Sequence, residues 1–257
     1  MTDDPGVAER LADRLAAAGC VAADEEADEL TASAPDGATL EAWARRREQG
    51  EPLAWIVGSV QFCGRTVHVD PGVYVPRWQS EDLARRAAGL LPAGGRAADL
   101  CTGAGAIAAH LAAESPTATV VGVDIDPRAV ACAGRNGVAA VVGDADGPLR
   151  PGAFDLVTAV APYVPTGELP FLPADVQRHE PRRALDGGHD GLDVVRRVVA
   201  EAARLLRPGG WLVTEVGGEQ DRALGPTLAA CGFDAATPWF DEDGDLRGIA
   251  ARRRPTP

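Results

Sequence analysis

The sequence predicts an α/β fold: a mostly parallel sheet flanked by helices, an antiparallel hairpin at one edge, and a small helical domain in front. Three observations predict it. From residue 97 onward, short apolar runs of strand length alternate with segments of helical period, the pattern of a parallel sheet covered on both faces. The chain closes on two strand-like segments, 233–239 and 246–251, around an acidic Asp-Glu-Asp-Gly-Asp turn, which would append an antiparallel edge. The first fifty residues carry only helical periodicity.

In that N-terminal stretch Val7, Leu11 and Leu15 recur every fourth residue, with Glu9, Arg10, Asp13 and Arg14 on the other face. A second, very acidic helix is expected over 22–32. A third follows Asp36-Gly37, sets Leu40, Trp43 and Ala44 on one face and ends near Gly50. Between 52 and 76 the period moves towards two, through Trp55-Ile56-Val57 and then Val67, Val69, Val73 and Val75, so a β-hairpin or ribbon is expected to join two domains. The organisation is therefore a helical domain over 1–50, a linker over 51–78 and a larger domain over 79–257. Within the last, strands are expected at 97–100, 119–124, 138–142, 154–160 and 210–216, and helices at 81–91, 105–114, 127–135, 190–206 and 219–230.

Bulk properties exclude several function classes. The formal charge of −13 argues against a phosphate-backbone grip, which needs a basic stripe, so no nucleic-acid partner is expected. All 25 basic residues are arginine; with so much alanine, that reads as genome composition rather than a device. The five cysteines are odd in number, scattered and never in a CxxC pair, which argues against a disulfide framework and a zinc site and for a reducing compartment. No stretch approaches 18 apolar residues and the N-terminus has no signal-like h-region, so no membrane association and a cytoplasmic location are expected.

The chemistry concentrates at predicted strand ends. Asp99-Leu-Cys101-Thr102-Gly103-Ala104-Gly105 links a strand to a helix, and its glycines allow a tight turn and close approach of a ligand at the helix N-terminus. It has neither the Gly-Lys-Ser/Thr ending of a phosphate loop nor the full GxGxxG pattern, and alone it could be a tight turn. Asp124 ends the second strand, where doubly wound folds place an acid that accepts from ribose hydroxyls; Asp126-Pro127 is better placed to cap the next helix. Asp144, after the third strand, is a second carboxylate suited to an adenine amino group, or simply a loop acid; Ala145 beside it offers no aromatic wall. The fourth strand ends in Val160-Ala161-Pro162-Tyr163, a rigid turn carrying an aromatic ring.

Together these features resemble the class I S-adenosylmethionine (SAM)-dependent methyltransferases, a Rossmann-like fold. Finer matches narrow the resemblance to the HemK/PrmC-type protein-(glutamine-N5) methyltransferases. Gly50-Glu-Pro-Leu-Ala-Trp-Ile-Val-Gly58 is similar to the family's G-x-P-L-x-Y-I-x-G segment, and Pro76-Arg-Trp-Gln-Ser-Glu81 to its P-R-P-x-T-E. Glu180-Pro-Arg-Arg-Ala-Leu-Asp-Gly-Gly-His-Asp-Gly-Leu192 is similar to its E-P-x-x-A-L-x-G-G-x-D-G-L run, and Glu215-Val-Gly217 with Gln220 fits as well. The resemblance runs from about residue 50 to the end. The N-terminal helices match by position the family's substrate-recognition domain.

It implies SAM as cofactor, S-adenosylhomocysteine as product, and a cofactor site of Asp99, Cys101, Thr102, Gly103, Ala104, Gly105, Asp124, Asp144, Ala145 and Val160. It implies an acceptor slot of Val160, Ala161, Pro162 and Tyr163, with Pro162 and Tyr163 the catalytic pair. The chain departs from the family where that family has Asn-Pro-Pro-Tyr, since Val160 replaces the asparagine that accepts the substrate amide's hydrogens and aims its nitrogen. Loss of one such oriented contact costs on the order of 10²–10³ in rate. Cys101 stands where the family commonly has its first glycine, and Trp78-Gln79 alters the region flanking the acceptor. The expected activity is N-methylation of a protein glutamine, with a peptide chain release factor as the family's usual partner. A small-molecule methyltransferase and a SAM-binding regulatory protein without turnover are the alternatives. Arg77, Glu180 and His189 are read as interdomain or core-satisfying residues.

Overall fold

A computed structural model describes residues 6–144 and 149–255. Three helices open it: α1 (Gly6–Ala17), α2 (Ala23–Ser33) and α3 (Gly37–Glu48). Leu11, Leu15, Ala27, Leu30, Leu40 and Ala44 close a small core of their own, and Asp36 caps α3 by accepting the Thr39 N–H at 2.7 Å.

The linker differs from the expected ribbon. Trp55-Ile56-Val57 lies in a short helix, α4 (Leu53–Val57), opened by Pro52 and closed by Gly58 at φ +87°. Three consecutive apolar residues are too short a run to distinguish strand from helix. Here one helical turn sends Ile56 into the N-terminal core and Trp55 into the core of the larger body. The hairpin proper is only β1 (Ser59–Phe62) and β2 (Arg65–His68). Val69, Val73 and Val75 are buried without joining a strand.

The larger body follows with α5 (Ser80–Leu90), β3 (Arg96–Leu100), α6 (Ala106–Glu114), β4 (Thr119–Asp124), α7 (Pro127–Arg135), β5 (Ala139–Val142) and β6 (Phe154–Ala159). A connecting segment holds two 3₁₀ turns, 166–171 and 182–184, and α8 (Ala174–His179), none of which the periodicity of the sequence signals. Then come α9 (Asp193–Leu205), β7 (Leu206–Thr214), α10 (Gln220–Ala230), β8 (Thr237–Phe240) and β9 (Leu246–Arg252). Several boundaries move, and α9 begins three residues later than expected. Strand β7 begins four residues early, across Arg207-Pro-Gly-Gly210, with a register break opposite Phe154/Leu156, and Phe233 forms only an isolated bridge with Arg253.

Among the described residues, seven strands form one sheet in the order β5-β4-β3-β6-β7-β9-β8, with β9 antiparallel to both neighbours. All six residues of β6 are buried, as a central strand covered on both faces requires. Its two polar side chains have partners: Thr158 donates to Asp99 at 2.7 Å, and Asp155 accepts the Arg96 N–H at 2.8 Å. Helix α9 covers one face with Val195, Val198, Val199, Ala202 and Leu205. The strand order reverses between β3 and β6, and ligands of open α/β sheets bind at the carboxyl ends of strands at such a point. Because Leu100 pairs with Ala159, the loop beginning at Cys101 and the turn beginning at Val160 leave that point side by side. Among the described residues no helix is long and apolar enough to cross a membrane.

Candidate active site

Two cavities meet at this switch point. One, of about 250 Å³, lies over the loop after β3; the other, of about 630 Å³, lies between the sheet and the N-terminal helices. Tyr74, Val160 and Ala184 line both.

The smaller cavity is built on a self-satisfied polar frame. Asp99, 2% exposed, accepts the Thr102 hydroxyl at 2.6 Å and the Thr158 hydroxyl at 2.7 Å. Burial nevertheless pushes its carboxyl up to about 6, against the pull of those two hydroxyls. Asp124 accepts the Gly103 N–H and the Asp126 N–H, each at 2.9 Å, and burial raises it as well. Asp126 caps α7, so Asp124 is not consumed in capping. Each carboxylate oxygen keeps a further lone pair for a ligand. Gly105 is required sterically: its φ is +81°, and a Cβ would come within 2.9 Å of the Ala133 Cβ. At Gly103 a Cβ would meet nothing within 4 Å, so the loop backbone faces open space. Cys101 adopts φ +56°, a left-handed conformation that explains why the family commonly has glycine there.

The expected cofactor residues Asp99, Cys101, Thr102, Gly103, Ala104, Asp124, Asp144 and Val160 all line this cavity, while Gly105 shapes the loop from beneath. Ala145 lies outside the described residues. Asp144 forms an ion pair with Arg197 at 2.5 Å across the cavity's edge. Sequence reasoning missed Ile125, an exposed apolar side chain beside Asp124 that supplies a wall. It also missed Arg183, which reaches Asp126 at 2.5 Å and helps Pro181 and Ala184 roof the cavity. A loop backbone open to the cavity, two carboxylates at strand tips and an apolar wall suit the hydroxyls, amino group and flat base of an adenosyl cofactor, so the residues present fit SAM.

The turn after β6 divides its side chains between the cavities. Pro162 lines the smaller one, Ala161 and Tyr163 the larger. Pro162 therefore faces the cofactor side instead of joining Tyr163 on the acceptor side, because neighbouring residues of an extended segment point opposite ways. The Glu180–Leu192 run holds this turn. Gln220 donates to the Tyr163 carbonyl at 2.9 Å and to the Asp190 carbonyl at 3.1 Å. Gly191, at φ +74°, lies so close that a Cβ would fall 2.2 Å from the Tyr163 oxygen. Glu180 is ion-paired with Arg77, whose guanidinium lies over Tyr74, so these two residues tie the linker to the roof of the site. His189 is exposed and has no core role.

The larger cavity is walled by the N-terminal module through Cys20, Glu26 and Arg47, by Trp78 and Gln79, and by Glu215 and Arg247. Arg47 pairs with Glu26 at 2.5 Å and with Asp175 of α8 at 3.4 Å, fixing the module against the connecting segment. Glu215 follows β7 and Arg247 lies in β9, strands paired in the sheet but far apart in the chain, and the periodicity of the sequence marks neither residue.

A methyltransferase domain family matches residues 97–179. A release factor glutamine methyltransferase of Geobacter sulfurreducens is 41% identical over 214 residues, covering 80% of this chain and 75% of its own. One from Moorella thermoacetica is 43% identical, covering 73% and 69%. One from Mycolicibacterium smegmatis is 37% identical, covering 84% and 75%. Among solved structures, the Thermus thermophilus 16S rRNA N2 G1207 methyltransferase with AdoMet and guanosine superposes at TM-score 0.54, with 20% identity over 77% of this chain and 44% of that one. The Encephalitozoon cuniculi Mtq2–Trm112 complex superposes at 0.52, with 19% identity over 71% and 99%. These two show the fold. The protein is a SAM-dependent methyltransferase, and at 41% identity over four-fifths of its length the chain belongs to the release factor glutamine methyltransferase family.

Proposed function

We propose that the chain methylates the side-chain amide nitrogen of a protein glutamine, with the Gly-Gly-Gln loop of a peptide chain release factor as the first candidate acceptor. The observation that carries this reading is the meeting of the two cavities at Val160, which gives an acceptor in the larger one access to a methyl donor in the smaller one. The named activity of the relatives supports the acceptor class. When bound, SAM supplies an electrophilic methyl group on a sulfonium. Asp124 would hold the ribose hydroxyls and Asp144 the adenine amino group, with Gly103 and the rest of the loop giving backbone contact. Tyr163 would wall one face of the planar amide. The protein's work is then mainly orientation and exclusion of water. The wall contributed by the N-terminal helices favours a substrate-recognition role for them.

Incubation with methyl-labelled SAM and cell extract, followed by tryptic mass spectrometry, tests the proposal. Label on a glutamine-containing peptide is expected. Label confined to small metabolites would replace this reading with a small-molecule acceptor, and binding of SAM without transfer would point to a regulatory protein.

A further inference from the structure

Val160 leaves the acceptor slot short of a hydrogen-bond acceptor, and its neighbour in the sheet carries one. Thr214 pairs with Ala159 in the parallel ladder, and Glu215 donates its N–H to the Ala159 carbonyl at 3.2 Å. Glu215 and Val160 therefore leave adjacent strand tips side by side, and both line the larger cavity. Glu215 is 5% exposed; among the described residues its Oε1, closed to solvent, makes no hydrogen bond of good geometry, while the Ser80 and Tyr163 hydroxyls lie against the carboxyl. A buried carboxyl on a cavity wall with no closed ion pair is a place where a ligand can supply the missing partner.

We infer that Glu215 accepts an N–H of the substrate amide at the place where Val160 offers only methyl groups, and takes the proton that the amide nitrogen gives up. This rests on the glutamine reading above. The N–CH₃ bond forms as the S–CH₃ bond of the sulfonium breaks with its electron pair left on sulfur. The N–H bond breaks with its pair left on nitrogen, and the proton passes to the Glu215 carboxylate and from there to solvent. The groups facing Glu215 suit an acid that cycles its proton. The Ser80 hydroxyl at the start of α5, the Tyr163 hydroxyl of the turn and Arg247 of β9 lie against it, with Tyr74 of the linker close by. Arg247 is itself engaged by Asp241 at 2.5 Å, so it does not form a closed ion pair with Glu215. Burial pushes the Glu215 carboxyl up to about 7, and Ser80, Arg247 and Tyr163 only partly offset it. The group changes charge near neutral pH, the range in which a general base is effective.

Binding of a fluorescent Gly-Gly-Gln peptide, compared with the same peptide carrying norleucine for glutamine, gives a readout that needs no turnover. In the wild-type protein the preference for glutamine should rise roughly tenfold between pH 6 and pH 8.5, as expected for a hydrogen bond to a charged group. Glu215→Gln should lower that preference and flatten its pH dependence. Glu215→Asp should keep a pH dependence with weaker binding. Val160→Asn added to Glu215→Gln should restore the preference without the pH dependence. Selective glutamine binding that is flat with pH and unmoved by Glu215→Gln overturns the assignment while leaving the glutamine reading intact. Equal binding of the glutamine and norleucine peptides at both pH values overturns both. If Glu215→Gln fails to fold, as read by circular dichroism, Glu215→Asp decides: a glutamine preference and a pH midpoint both identical to the wild type count against the assignment.

Discussion

The two halves of the site are built on opposite principles. Around the cofactor cavity the carboxylates already have protein partners: Asp99 with Thr102 and Thr158, Asp124 with the Gly103 and Asp126 amides, Asp144 with Arg197. Around the larger cavity the turn after β6 is apolar at Val160 and Ala161, and the neighbouring buried acid, Glu215, keeps one oxygen without a hydrogen bond among the described residues. A ligand that never changes is best met by a frame organised before it arrives, because no reorganisation is needed at the moment of reaction. A slot whose polar atoms wait for their partner is specific in another way. It rejects substrates that leave those atoms buried and unpaired.

The largest expected effect comes from making the acceptor half resemble the polar half. Val160→Asn places a carbonyl oxygen and an amide at the junction of both cavities. Turnover of a Gly-Gly-Gln peptide should rise by on the order of 10² to 10³ if orientation of the amide is all the slot lacks. Single-turnover kinetics with labelled SAM reads the gain directly. An unchanged rate would mean that Trp78, Gln79 and the rest of the wall have changed the shape of the slot as well as its polarity.

A second contrast concerns pH. Glu215 and Asp99 both have folded-state pKa values above their ordinary ones, about 7 against 4.5 and about 6 against 3.8, chiefly through burial. Raised groups contribute stability that is fully present below the unfolded pKa and lost as pH rises through the folded pKa. These two groups therefore pull stability down between about pH 4 and pH 7. For Glu215 the loss is on the order of 3 kcal/mol. Glu215→Gln should remove its share of that slope, so the variant gains on the wild type as pH rises from 5 to 8 in urea titrations. Parallel slopes would show that Glu215 is already as well solvated as in the unfolded chain.

These tests bear on residues of unequal legibility. The smaller cavity is legible because it is local: Asp99 to Gly105 is one loop, and within three residues Asp126 caps α7 while Asp124 is left to line the cavity. The acceptor half assembles from segments far apart in the chain. Tyr74, Ser80, Glu215 and Arg247 meet only once β7 and β9 have paired and the linker has folded over them. Glu215 stood inside a recognisable Glu-Val-Gly motif, yet no period or spacing says that a strand-tip acid faces a cavity. The linker failed for another reason. Trp55-Ile56-Val57 serves two cores at once, which suits one helical turn between two bodies, and an apolar triplet cannot reveal that.

A smaller effect is expected at Asp124. Asp124→Asn keeps an acceptor for the Gly103 amide but removes the charge, so SAM affinity measured by titration calorimetry should weaken by roughly tenfold to a hundredfold. Peptide affinity should hold steady if the halves are as separate as their frames suggest. A comparable loss of peptide binding would show that Val160 and Tyr74, common to both cavities, couple them.

The smallest expected effect tests how far the cofactor half is tuned for stability at all. Cys101 is held at φ +56°, where an L-residue suffers roughly 1–2 kcal/mol of steric cost that glycine escapes. Glycine also loses more chain entropy on folding, by about 0.4–1 kcal/mol. The Cys101 side chain moreover packs against the main core. Cys101→Gly should therefore stabilise the protein by at most about 1 kcal/mol, a rise in the urea midpoint with no change in slope. A clear destabilisation would mean that the thiol's packing outweighs the backbone strain. The cysteine would then be a core residue that happens to sit in a ligand loop, and the polar frame around SAM would owe part of its order to the apolar cluster beneath it.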